Sequence, residues 1–291
     1  MTLPRKTILV TGADGQLGSE LRQLASSYPQ YVFLLANREQ FPLDNFSAMD
    51  SYFKEHRFDY CINCAAYTAV DKAETETEKA FLINGEAVGH LAALCKEYNA
   101  SLIHISTDYV FNGNGTIPYK ESDPVDPVNI YGGSKLKGEQ LALHYLPSAL
   151  ILRTSWVYSS FGNNFLKTML RLMAQKESLN VVSDQKGCPT YAADLAQTIM
   201  EIIAKDTSVK GIYNYCNSGV TTWFDFADAI RLLAKSECEV RPIPTSSYPT
   251  PAKRPLYSVL DNSKISEALQ ISIPGWHEAL VRCYSRIEAA N

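Results

Sequence analysis

Thr7-Ile8-Leu9-Val10-Thr11-Gly12-Ala13-Asp14-Gly15-Gln16-Leu17-Gly18 is the stretch that decides the fold. Thr7 to Val10 is a short, apolar, partly β-branched run of strand length, and Leu17, Leu21 and Leu24 behind it recur at helical spacing. A strand that turns through glycine into a helix leaves Gly15 and Gln16 at the helix N-terminus. There the free backbone N–H groups and the dipole favour a pyrophosphate. The glycines fall at 12, 15 and 18, not in the G-x-G-x-x-G order of the commonest dinucleotide fingerprint. A plain turn before a surface helix would use the same residues, so the choice between the two rests on the residues beyond Leu24.

Those residues alternate in pattern. Strand patterns at 7–11, 31–36, 59–64, 101–106 and 149–154 are separated by helical patterns at about 16–27, 46–56, within 72–98 and 130–145. Such a series predicts a Rossmann-type, doubly wound α/β fold, a parallel sheet with helices on both faces. Ligands of these sheets bind beyond the carboxyl ends of the strands, and Gly12, Asn37, Ala65, Ser106 and Thr154 fall at or just past those ends. After Thr154 the elements shorten and proline increases, with helices expected at 165–176, 192–205, 222–235 and 276–288. The expected division is residues 1–172 for the nucleotide-binding domain and 173–291 mainly for a smaller, mixed α/β substrate-binding domain, with a later strand and helix returning to the first. The proline-rich stretch Tyr248 to Pro255 excludes a regular helix or central strand and reads equally as a loop over the substrate or as a connector.

Chemistry enters at Tyr131 and Lys135, four residues apart in Ile130-Tyr131-Gly132-Gly133-Ser134-Lys135. On a helix the two share a face. An ammonium beside the phenol can lower its pKa from about 10 toward working pH and make it a usable acid/base. Ser106-Thr107-Asp108 ends the fourth strand and would point its hydroxyls into the same crevice, where one can bond a carbonyl or a developing alkoxide. The second strand ends in Asn37-Arg38. An NAD-preferring site usually has an acid there, whereas arginine suits a 2′-phosphate, so the reading leans to NADPH, with NADH as the alternative.

Composition narrows the class. The chain has 291 residues, a formal charge of −4 and no basic run, which gives no footprint for nucleic acid. Its apolar stretches are strand-length, far short of the roughly 20 residues that span a bilayer, and no signal-peptide core precedes them, so no membrane and a cytoplasmic location are expected. Seven scattered cysteines do not suggest a disulfide framework. Cys61 and Cys64 form a CxxC without further ligands nearby in sequence, and the five histidines are isolated; buried structural thiols and no metal site are the expectation.

The Thr-Gly-x-x-Gly-x-x-Gly turn at 11–18, Asn63-Cys64-Ala65-Ala66, Ser106-Thr107-Asp108 and Tyr131 with Lys135 resemble the short-chain dehydrogenase/reductase superfamily, in its extended nucleotide-sugar branch. Further stretches narrow the match: Thr68 to Glu74, Ser106 to Phe111, Arg153 to Tyr158, Gly162 to Phe165, Gly187 to Thr190, and Tyr248 to Ala252 with Arg254-Pro255. Together they resemble the dTDP-4-dehydrorhamnose reductase family over about 8–274.

The resemblance implies reduction of the 4-keto group of dTDP-4-dehydro-β-L-rhamnose by NAD(P)H. It makes Tyr131 the proton donor, Lys135 the residue that tunes Tyr131 and bonds the nicotinamide ribose, and Thr107 the residue that orients the carbonyl. By position it puts Gly12, Gly15, Gln16 and Leu17 at the pyrophosphate turn, Asn37 and Arg38 at the adenosine ribose, and Asp44 and Asn45 at the adenine. Ala66, Tyr67 and Thr68 line the cofactor path; Val70, Asp108, Tyr109 and Trp156 face the sugar.

Some members bind Mg²⁺ through acids at a dimer interface. Glu20 matches one such acid, but a second is replaced by Ala193, which argues against a metal-bridged dimer and leaves monomer or homodimer open. A dehydratase of this superfamily follows its threonine with an Asp-Glu pair, whereas Tyr109 stands after Asp108 here. A non-catalytic alternative is the regulatory subunit of the methionine adenosyltransferase type, built on the same scaffold.

Overall fold

In the computed structural model, which describes residues 5–205 and 209–290, the opening run forms β1 (Lys6–Thr11) and the helix behind it α1 (Gln16–Leu24). Strand periodicity sends Leu9 into one apolar cluster and Ile8 and Val10 into the other, and all three are fully buried. Burial of each such side chain contributes about 1.5–3 kcal/mol.

The chain then alternates through β2 (Tyr31–Ala36), α2 (Phe46–Glu55), β3 (Tyr60–Asn63), α3 (Val70–Ala73), α4 (Thr77–Phe81), α5 (Ala87–Glu97), β4 (Ser101–Thr107), α6 (Ile130–Tyr145) and β5 (Leu150–Thr154). The second half adds β6 (Val157–Tyr158), α7 (Phe165–Met173), β7 (Ser178–Val182), β8 (Lys186–Gly187), β9 (Thr190–Tyr191), α8 (Ala192–Ala204) and β10 (Gly211–Asn214). It closes with β11 (Thr221–Thr222), α9 (Trp223–Leu233), β12 (Glu239–Ile243), α10 (Ser263–Leu269) and α11 (Trp276–Ala289).

The central sheet has six parallel strands in the order β10-β5-β4-β3-β1-β2. One face is covered by side chains of α2, α5 and α6, the other by those of α1, α8 and α10. A third apolar cluster joins α7, α9 and α11 with the β7–β12 pair beside the sheet's carboxyl edge.

Two differences from the sequence reading have plain causes. The helix expected within 72–98 is broken: α3 and α4 are separate, and a π-helical turn at Leu82–Glu86 precedes α5. Asn84 in that turn accepts from the Tyr67 N–H at 2.8 Å and donates to the Tyr67 carbonyl and to Ser134 Oγ, so the irregular turn ties the loop after β3 to α6. The sequence reading expected a later strand without placing it, and β10 is a short edge strand beside β5; β7, β12 and α10 were not read, and β12 carries Pro242 in a two-stranded pair.

Candidate functional site

A cleft of about 630 Å³ opens along the carboxyl edge of the sheet. Its floor at one end is the turn between β1 and α1. Gly12 has φ +63°, and a Cβ there would stand 2.8 Å from the Ala65 backbone nitrogen, so only glycine lets the turn sit against the loop after β3. No side chain caps α1 at Gly15, which leaves its first N–H groups facing the cleft. Gln16 bridges to the second half of the chain: its Nε2 donates to the Val157 carbonyl at 3.3 Å and its Oε1 accepts from Asn164 at 3.0 Å.

At the other end stand Thr107, Asp108, Tyr131 and Lys135. Asn129 starts α6 by accepting from the Gly132 N–H at 2.7 Å, and its Nδ2 donates to the Lys253 carbonyl at 2.8 Å. Glycine at 132 is required by packing, since a Cβ would lie 2.2 Å from the Tyr109 carbonyl oxygen. This brings the first turn of α6, with Tyr131, against the end of β4. Thr107 donates to Asp108 Oδ1 at 3.0 Å and accepts from the Tyr109 N–H, while the Tyr109 ring meets the Tyr131 ring edge-on at 5.9 Å.

The electrostatics differ from the sequence expectation in one respect. Burial pushes the Tyr131 phenol up to about 12; a hydrogen bond with Thr107 pulls it back and the charge of Asp108 opposes that. Tyr131 therefore carries its proton at neutral pH, as a proton donor must. The Lys135 Nζ donates to the Ile105 carbonyl at 2.6 Å. Burial lowers Lys135 to about 8, against the favourable charge of Glu139. Burial likewise lifts Asp108 to about 7, and its Oδ2 has no hydrogen-bond partner.

A buried ion pair holds this end rigid. Arg153 of β5 grips Glu139 of α6 through two bonds of 2.9 and 2.7 Å, and Ser106 of β4 donates to the same carboxylate at 2.5 Å. Both charged side chains are 2% exposed. The bidentate geometry and the third bond answer the desolvation of the two charges.

Among the residues read from sequence, the cleft brings together Gly12, Gly15, Gln16, Leu17, Arg38, Asp44, Ala66, Tyr67, Thr68, Thr107, Asp108, Tyr131, Lys135 and Trp156. Asn37 and Asn45 are engaged elsewhere: Asn37 Oδ1 accepts from the N–H groups of Glu39 and Gln40, and Asn45 caps α2 through the Ala48 N–H. Val70 begins α3 and Tyr109 packs on Tyr131; neither lines the cleft wall. Trp156 has φ +47°, a strained value for a bulky residue, and stacks on Trp223 at 3.6 Å. The proline-rich stretch is tied to the start of α3 by Arg254, which grips Asp71 with two bonds of 2.9 Å.

Sequence reasoning missed His104, Glu139, Arg153 and Trp223. Their partners are distant along the chain, and only the even spacing of Ser106 and His104 on β4 hinted at a shared face.

Glu20 is buried, with Ser159 donating to one carboxylate oxygen at 2.6 Å and Arg286 to the other at 2.9 Å. It is already neutralised by a cation from α11. No group of three or more His, Cys, Asp or Glu side chains suited to a metal occurs among the described residues. Cys61 is buried and Cys64 half-buried, both as free thiols.

The model of the RmlD substrate binding domain family matches residues 6–289. A dTDP-4-dehydrorhamnose reductase of Aggregatibacter actinomycetemcomitans is 40% identical, covering 96% of this chain and 99% of its own. The spore coat polysaccharide biosynthesis protein SpsK of Bacillus subtilis is 42% identical over 94% of this chain and 95% of its own. The crystal structure of dTDP-4-dehydrorhamnose reductase from Bacillus anthracis, solved in complex with NADP, superposes with a TM-score of 0.93 at 37% identity, covering 97% and 99% of the two chains. Matched over nearly its whole length, the chain belongs to the RmlD substrate binding domain family, alongside the dTDP-4-dehydrorhamnose reductases.

Proposed function

We propose that the chain reduces the 4-keto group of dTDP-4-dehydro-β-L-rhamnose with NAD(P)H to dTDP-β-L-rhamnose, the last step of dTDP-rhamnose biosynthesis. The observation that carries this reading is the meeting of Thr107, Tyr131 and Lys135 with the phosphate-binding turn in one cleft.

The residues fit a dinucleotide. A free helix N-terminus at one end suits its pyrophosphate, and the acid/base residues stand at the other end, where its reactive ring would lie. When bound, the nicotinamide supplies the hydride that C4 of the sugar receives.

The chain's own contribution is binding and proton supply. Tyr131, protonated at working pH, gives its proton to the C4 oxygen as that oxygen becomes an alkoxide. Thr107, joined to Tyr131 and Asp108, orients that oxygen. Lys135, which lines the same cleft, would bond the cofactor ribose. Trp156, Asp108 and the Asp71–Arg254 corner would hold the nucleotide sugar. In this reading residues 1–172 serve the cofactor and 173–291 mainly the substrate, with α8 and β10 packed back on the sheet.

We infer NADPH as the preferred cofactor from Arg38, which lines the cleft beside Asp44. We infer no Mg²⁺ at Glu20, whose charge Arg286 neutralises. No described helix is long and apolar enough to cross a membrane, and we expect the protein to act in the cytoplasm.

The test is loss of nicotinamide absorbance when the purified protein meets dTDP-4-dehydrorhamnose made in place by an upstream dehydratase and epimerase. Turnover that depends on the keto sugar supports the reading. Absence of turnover with either NADPH or NADH removes it.

A further inference from the structure

Beneath the cleft floor runs a buried polar chain that the acid/base reading leaves unused. Thr11, at the end of β1, donates to Asn63 Oδ1 at 2.6 Å; Asn63 Nδ2 lies 3.0 Å from His104 Nδ1; His104 Nε2 lies 3.4 Å from Lys135 Nζ. Thr11, Asn63 and His104 are fully buried and Lys135 nearly so, so these polar groups must satisfy one another. The chain links the strand that ends at Gly12 to the lysine of the acid/base set.

It also has a direction. The Thr11 hydroxyl donates to the Asn63 oxygen, which leaves the amide N–H facing His104. A neutral imidazole that accepts at Nδ1 carries its own proton on Nε2. That N–H can be accepted only by the neutral Lys135 amine, since the ammonium has three donors and no acceptor, so this tautomer favours the neutral amine. On its other side Lys135 meets the Ile105 carbonyl at 2.6 Å.

We propose that Thr11 and Asn63 lock His104 as its Nε2–H tautomer, and that His104 is thereby a positioning residue for Lys135, setting a donor against one side of its nitrogen. The proton-bearing side of Lys135 is left to Ile105 and the cleft. This deepens the functional reading above and rests on it for the role of Lys135.

Burial lowers Lys135 to about 8, and a donor set against its nitrogen acts in the same direction. Burial and the neighbouring Lys135 charge hold His104 well below its ordinary value, so the imidazole stays neutral. The other titratable groups on this side are Tyr131 and Glu139 of α6, Arg153 of β5 and Asp108 just after β4. Glu139 favours the ammonium, but its carboxylate is shared with Arg153 and Ser106.

Two measurements decide the matter. The first is ¹⁵N NMR of the imidazole-labelled protein, without substrate or turnover. A protonated Nε2 and an accepting Nδ1 at His104 are expected; a proton on Nδ1 overturns the proposal. The second uses Asn63→Asp, which accepts where asparagine donates, calls for a proton on Nδ1 and turns Nε2 into an acceptor for the ammonium.

The alkaline limb of the turnover profile should then move up by about one pH unit or more. In a His104→Leu background the same substitution should move it far less. An equal shift with and without His104 would mean plain charge attraction and would sink the positioning role. If Asn63→Asp fails to fold, the tautomer of the unaltered protein still decides. If the unaltered protein shows the Nε2–H tautomer yet turns over no keto sugar, the functional reading fails and the positioning of Lys135 stands.

Discussion

Replacing Arg38 with alanine tests the cofactor reading at the residue that carries it. Its side chain is 74% exposed and makes one long contact, 3.5 Å, to Asp44. An exposed pair of that kind contributes about 0–1 kcal/mol, so the guanidinium is readily recruited by another anion. A hydrogen bond to a charged group is worth about 1.5–3 kcal/mol, and at so open a position solvent leaves the lower end. Subtracting the weakened Asp44 contact leaves about 1 kcal/mol for a 2′-phosphate, or roughly a five-fold preference for NADPH over NADH.

Arg38→Ala should erase most of that preference and leave NADH affinity nearly unchanged, because NADH carries no phosphate at that position. The converse variant, Asp44→Asn, should strengthen NADPH binding by removing a like charge. Titration by nicotinamide fluorescence at low and high salt measures all three, and the NADPH advantage should shrink as salt rises. Equal affinity of the unaltered protein for both cofactors, or equal weakening of both in Arg38→Ala, would refute the argument.

Tyr131→Phe should keep cofactor affinity and lose about 10²–10⁴ in turnover, the usual worth of a general acid; near-normal turnover would rule out Tyr131 as the donor. Asp108→Asn probes a carboxyl whose folded pKa is raised to about 7. Between about pH 4 and 7 the folded chain binds the extra proton, so the unaltered protein loses stability as pH rises through that window. The melting temperature of Asp108→Asn should therefore gain on it from pH 4 to 7 and level off above; a constant difference across pH would contradict this. Glu139→Gln leaves Arg153 charged and buried without its partner, which costs about 3–5 kcal/mol. Denaturant unfolding that shifts by less than about 1 kcal/mol would show that the pair is not needed.

Residues whose signal is local were legible in the sequence. The turn at 12–18, the helix beginning at Ile130 and the hydroxyls ending β4 all announce themselves within a few positions, and the sheet topology then gathers them at one edge. The cap at Asn129 is local to α6, whereas the need for glycine at 132 comes from the Tyr109 carbonyl and is not read from sequence.

What escaped depends on long-range packing. Arg153 and Glu139 look like ordinary surface residues of a strand and a helix until β4, β5 and α6 are stacked. His104 has no sequence neighbour that reveals Asn63 or Lys135 as its partners. The Oδ1 atoms of Asn37 and Asn45 serve a turn and a helix cap, local uses that asparagine favours and that the sequence reading did not include.

The most direct test of the central claim is a single turnover with NADPH carrying deuterium at the transferred position of the nicotinamide and dTDP-4-dehydrorhamnose as substrate. NMR of the isolated sugar nucleotide should show deuterium at C4 of a rhamnosyl product. Tyr131→Phe should form the same labelled product far more slowly. A product without deuterium at C4, or recovery of unreduced keto sugar from a mixture in which the cofactor is demonstrably bound, would contradict the account.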